Sequence, residues 1–126
     1  MNDFYITTDD IRKNTFLSIE EFLLEKINNN ERTLFLSCDF RLSKVNCKRL
    51  CDFLDSNEIE YTYDNNQLFQ SVDIKGNIIY FTSIGNGDRP RGLRGNFIIF
   101  DDISSLSKDA VLNVIQGGAS IRTNYV

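Results

Sequence analysis

The run Asn96-Phe97-Ile98-Ile99-Phe100-Asp101-Asp102 limits the fold more than any other stretch of this chain. Four consecutive apolar side chains leave no wet face. A run this short, bounded by turn residues, reads as a strand from the interior of a parallel sheet. Two carboxylates close it. In open α/β sheets, ligands bind outside the carboxyl ends of the strands, so Asp101 and Asp102 arrive where such a fold would hold Mg²⁺ and phosphate. Ahead of the run lies Arg89-Pro90-Arg91-Gly92-Leu93-Arg94-Gly95, a basic loop interrupted by glycines. Arg89, Arg91 and Arg94 suit it to gripping phosphate, from a nucleotide or from nucleic acid.

The rest of the chain supplies the partners of that strand. Residues 4–7 are aromatic and β-branched, a short first strand. Thr8-Asp9-Asp10 breaks it and caps a helical turn at residues 11–13. Ser18-x-x-Glu21 is a capping box, and Phe22, Leu23 and Ile27 give a helical face over 18–28. Residues 33–38 form a buried strand. A helix over 43–56 follows, with Val45, Leu50, Phe53 and Leu54 as its apolar stripe. Residues 59–63 alternate, as a strand with one wet face does. Residues 67–73 and 77–83 are strands joined at Lys75-Gly76-Asn77, a hairpin signal. A helix over 107–116 stops at Gly117-Gly118, and 120–126 is a last strand. This order predicts one α/β domain spanning 1–126, with a mainly parallel sheet flanked by helices and an antiparallel hairpin at one edge.

Composition narrows the chemistry. With 14 basic and 18 acidic residues the net charge is −4, which argues against a generally basic nucleic-acid surface and leaves the arginine loop as a local patch. There is no His, so imidazole catalysis and His-ligated metal are excluded. Cys47 and Cys51 lie one helical turn apart. With Cys38 they make three, and no fourth ligand follows at zinc-site spacing. Reduced thiols in an intracellular, cytoplasmic protein are the better reading. No stretch approaches the ~20 apolar residues of a membrane span.

An apolar strand closed by paired acids matches a Walker B element. There the first acid, here Asp101, holds Mg²⁺, and the second, here Asp102, orients the attacking water. The pair can also serve only to cap the next helix, a duty that Ser104 or Ser105 would share. A second constellation is Asp73-x-Lys75 on the hairpin. It is half of a PD-(D/E)xK nuclease motif, with Asp64 as the nearby partner acid.

Three features together resemble the ATPase domain of viral DNA-packaging terminase large subunits and, more loosely, superfamily 2 helicase cores. Strand 33–38 followed by Asp39-Phe40-Arg41-Leu42-Ser43-Lys44 is similar to the family's second core strand and its T-x-R-Q-A-K segment. The hairpin over 72–83 is similar to the small strands that come next in the family. Arg91-Gly92-Leu93-Arg94-Gly95 entering 96–102 is similar to the family's arginine–glycine loop and hhhDE strand. The resemblance covers residues ~30–115 and implies a fold of P-loop NTPase type. One departure stands out. An active enzyme needs a glycine-rich loop and a Lys before its first helix to wrap the phosphates. Residues 8–18 contain no Gly, and Lys13 and Thr15 are the only relics of that motif. The resemblance therefore implies a small viral or phage-type domain that has lost its phosphate loop. Such a domain would need no cofactor, with Mg²⁺ and ATP only if the site were still active. It would act as a binding or regulatory module for a protein or nucleic-acid partner. The alternatives are an ATPase-core fragment completed by another chain in DNA packaging, and the metal-dependent nuclease.

Overall fold

A computed structural model describes residues 5–28, 32–65, 69–84 and 97–102, together with 104, 106–109, 111, 112 and 114. Its elements are β1 (Tyr5–Thr7), α1 (Thr8–Asn14), α2 (Ile19–Asn28), β2 (Thr33–Ser37), α3 (Phe40–Ser56), β3 (Thr62–Asn65), β4 (Gln70–Ile74), β5 (Asn77–Ser83) and β6 (Phe97–Phe100). The strands form one six-stranded sheet in the order β1-β6-β2-β5-β4-β3. The neighbours β1, β6, β2 and β5 are parallel, and β4 and β3 continue the sheet antiparallel.

β6 sits between β1 and β2, and all four of its residues are buried. Its side chains alternate between two apolar clusters. Phe97 and Ile99 join Ile11, Leu23, Phe35, Leu50 and Leu54 on the face covered by α1, α2 and α3. Ile98 and Phe100 join Leu34, Leu36 and Val114 on the other face. β2 is equally buried along its whole length. Continuous apolar runs in the sequence are thus the strands wetted on neither face.

Local sequence chemistry fixes the helix starts. The Ser18–Glu21 capping box forms reciprocally. The Ser18 N–H donates to Glu21 Oε1 at 2.9 Å, and the Glu21 N–H donates to Ser18 Oγ at 3.1 Å. These bonds favour the carboxylate and hold the Glu21 carboxyl below its ordinary range. α3 begins three residues earlier than the sequence suggests, at Phe40, because Asp39 Oδ1 accepts the Leu42 N–H at 2.8 Å and acts as the cap. Val45 lies off the buried face, 46% exposed, and Ser43, Cys47, Leu50 and Leu54 carry the buried stripe at i, i+4, i+7 and i+11.

Two further expectations need correction. The helix after β1 is capped by Thr7, whose hydroxyl accepts the Asp10 N–H at 3.0 Å, and it starts at Thr8. The strand expected over 59–63 forms at Thr62–Asn65 instead, because Ile59 and Tyr61 pack against the core ahead of it. The hairpin forms as predicted, but only β4 belongs to the antiparallel part at both borders. β5 pairs parallel with β2, so the antiparallel edge is β4 and β3. The described residues between 108 and 114 that carry a backbone assignment are helical. The strand expected over 120–126 lies outside the described residues.

Candidate functional site

The carboxyl ends of β1, β2 and β6 meet at Asp101. Asp101 follows β6 directly, and its N–H donates to the Leu36 carbonyl of β2 at 2.8 Å. Both of its carboxylate oxygens are engaged. Oδ1 accepts from the Thr8 hydroxyl at 3.1 Å, and Oδ2 accepts from Asn46 Nδ2 at 2.8 Å. Asn46, on α3, also donates to Ser37 Oγ at the end of β2, at 3.1 Å. The Thr8 hydroxyl in turn accepts the Asp102 N–H at 3.2 Å. Thr8 is fully buried, so this one hydroxyl clamps the Asp101–Asp102 peptide to the start of α1.

Asp102 turns the chain sharply away from the sheet. Its φ of +50° lies in the left-handed region, which Asp tolerates better than most residues. Its Oδ1 accepts the Ser104 hydroxyl at 3.0 Å. The acid expected to orient water is therefore held by the segment after the strand, and Ser104 shares the work of the turn. Cys38 stands close by. Burial, with Asp39 and then Asp102 and Asp101 adding negative charge, pushes its thiol up.

A cleft of about 220 Å³ opens beside Asp101, lined by Thr8, Arg12, Ser18, Leu23, Asn46 and Arg49 among others. It is smaller than the ~300–1,000 Å³ typical of ligand pockets. The Thr8 hydroxyl and the Asp101 carboxylate are the two kinds of oxygen ligand with which P-loop enzymes hold Mg²⁺. The phosphate-binding half of such a site does not fit the residues present. β1 ends at Thr7 and α1 begins at Thr8, with no loop between them whose amides could wrap a phosphate. Asp9 and Asp10 occupy the first turn, and the Asp10 N–H is already taken by Thr7. Lys13 lies in the last turn of α1, and Thr15 bonds back to the Ile11 carbonyl at 2.6 Å, closing the helix. Neither is among the partners of Asp101 described above. The hydroxyl beside Asp101 is Thr8, which sequence reasoning passed over. The available signal was a Thr at the junction of a strand and a helix.

The other sequence candidates sit elsewhere. Asp73 closes the hairpin turn, its Oδ1 accepting the Gly76 N–H at 2.8 Å. Lys75 and Gly76 are the two loop residues, at φ +54° and +88°, as a type I′ turn requires. Asp64 lies opposite Ser71 on β3, so it stands diagonal to Asp73 at roughly 7–8 Å. Among the described residues, no three Cys, Asp or Glu side chains converge as a metal ion would need. Cys47 and Cys51 are free on α3, and Cys38 is free beside Asp39. Arg89, Arg91 and Arg94 lie outside the described residues. No helix among the described residues is long and apolar enough to cross a membrane.

No family model matches the sequence, and no curated protein is significantly similar to it. A solved structure is similar in three dimensions: the large terminase from a thermophilic bacteriophage. The likeness covers 79% of this chain at a TM-score of 0.58 and 15% sequence identity. The chain has a terminase-like fold. It spans 27% of that phage protein's length, and at this identity the likeness is one of architecture.

Proposed function

We propose that this terminase-like domain, viral or phage-type by its resemblance, acts as a binding or regulatory module and does not hydrolyse ATP as an isolated chain. One observation carries the reading: β1 runs straight into α1, and the first buried hydroxyl of that helix closes on Asp101. With no loop to surround phosphates, a metal ion at Asp101 would contribute little nucleotide affinity. The partner is a protein or a nucleic acid, engaged through Arg89, Arg91 and Arg94. Calorimetric titration with Mg²⁺ and ATP tests the first half. The expected result is no resolvable heat at millimolar ATP, and binding that disappears in Asp101→Ala would overturn the reading. Titration with DNA, or recovery of a protein partner, tests the second half. Arg91→Ala combined with Arg94→Ala should weaken whichever complex forms.

The Thr8–Asp101 pair favours a second reading. Its oxygens match those that hold Mg²⁺ in an intact enzyme, so another chain could complete the site for DNA packaging. Paramagnetic broadening by Mn²⁺ separates the two. Broadening confined to Thr8, Asn46 and Asp101 supports the completed-site reading, and none at these residues supports the binding module.

A further inference from the structure

β3 ends the sheet. Its neighbour among the described residues is β4 alone, and all four of its residues are exposed. The backbone groups on its outer side stand ready for another strand. Two grooves flank this edge, and Asp55, Tyr61 and Tyr63 line both. One is lined by Asp55, Glu58, Glu60, Thr62, Asp73 and Lys75, four carboxylates against one ammonium. The other, about 440 Å³ between β3 and α3, adds Lys44, Lys48, Cys51, Asp52 and Asn65 to those shared residues, so its two ammoniums balance two carboxylates. Tyr63 is 48% exposed there, and the Tyr61 hydroxyl donates to Asp55 at 3.0 Å, which fixes its ring.

We propose that β3 is a docking edge for an extended segment of a partner protein, added as a further strand beside it. Side chains of a strand alternate between faces. The fitting segment carries Lys or Arg where it meets the acidic groove, with apolar or aromatic residues against the half-exposed Tyr63 ring. Main-chain hydrogen bonds supply affinity and the alternate side chains supply selectivity. Charge decides against the other occupants. A second copy of this chain, net −4, would bring the same carboxylates to the same groove, and nucleic acid would be repelled by it. The inference goes beyond the proposed function and does not depend on it.

The test uses the full chain and an acetylated octapeptide alternating Lys and Val, with three comparison peptides. One alternates Glu and Val. The other two are Lys–Val peptides N-methylated on one or the other alternate set of amides. Only one set can face β3, so one N-methylated peptide should bind at least tenfold more weakly and the other normally. Backbone NMR shifts on binding should centre on Thr62–Asn65, affinity should fall with salt, and the Glu–Val peptide should fail. Glu58→Lys combined with Glu60→Lys should weaken the Lys–Val peptide about tenfold. The N-methylated peptides keep the test decisive even if that variant folds poorly. The proposal is overturned if the Lys–Val peptide shifts nothing at millimolar concentration, if the Glu–Val peptide binds equally, or if both N-methylated peptides bind like the parent. A peptide-free dimer joined through Thr62–Asn65 would overturn it too.

Discussion

Thr8 is the residue on which the candidate site depends. Its hydroxyl donates to Asp101 and accepts from the Asp102 N–H, in a fully buried position. Replacing it with Val keeps the shape and removes both bonds, leaving buried polar groups unpaired. Thr8→Val should cost about 1–3 kcal/mol in urea unfolding. Asp102 offers a sharper contrast, because its work is conformational. Asn tolerates φ near +50° and keeps an acceptor for Ser104, whereas a β-branched side chain does not. Asp102→Asn should be within about 0.5 kcal/mol of wild type, and Asp102→Val should lose roughly 1–3 kcal/mol. Equal losses in the two variants would mean that the turn is not what Asp102 supports. Cys47 makes a prediction about pH. Burial pushes its thiol up to about 12 from an ordinary 9, with neighbouring Cys51 adding to the rise. The folded state holds the proton more tightly than the unfolded state. The linked stability is therefore complete below pH 9 and is lost as pH rises towards 12. In the folded protein at pH 8, Cys47 should resist iodoacetamide, while unfolding in urea should let all three thiols react. Mass spectrometry of the alkylated peptides reads this directly.

At the scale of elements, the hairpin joining β4 and β5 depends on two residues in the left-handed region, Lys75 and Gly76. A Cβ at Gly76 would meet nothing within 4 Å, so the cost of Gly76→Ala is backbone strain alone, about 1 kcal/mol by thermal unfolding. A much larger loss would mean that the turn has packing the structure does not show. This hairpin, the capping box of α2 and the buried strands were legible in the sequence because each depends on residues within four positions of one another. The elements misjudged went wrong for different reasons. The Asp39 cap on the Leu42 N–H is just as local and was missed, and Val45 is exposed because it lies off the i, i+4, i+7 stripe of Ser43, Cys47 and Leu50. β3 moved because Ile59 and Tyr61 found the core before the ladder began. The site divided in the same way. Asp101 was visible from its place after β6, but its partners Thr8 and Asn46 are 93 and 55 residues away, and no local pattern joins them. The Asp73–Lys75 pair had the residues of a nuclease motif, yet its local geometry is that of a tight turn.

At the scale of the molecule, β6 ties the site to the stability of the whole sheet. Its alternate side chains enter both apolar clusters, Phe97 and Ile99 on one face and Ile98 and Phe100 on the other. It is also the strand that joins β1 to the rest of the sheet, since β1 pairs with β6 alone among the described strands. Truncation on either face therefore removes packing from a strand that the other face also needs. Ile99→Ala should cost about 2–5 kcal/mol and Phe100→Ala about 3–5 kcal/mol. Because one strand belongs to both clusters, each variant should still unfold in a single transition. Far-UV circular dichroism and tyrosine fluorescence should lose signal at the same urea concentration. Tyr5 is the informative reporter, because its ring packs edge-on against Phe100, with centroids 6.2 Å apart. Separated transitions in Ile99→Ala, with the cluster under α1–α3 melting first, would show that the two faces are independent units. Asp101 would then stay ordered by the Phe100 side of β6 after α1 and Thr8 had left it. A single transition means that the Thr8–Asp101 contact, and whatever the site binds, persists only while the entire sheet does.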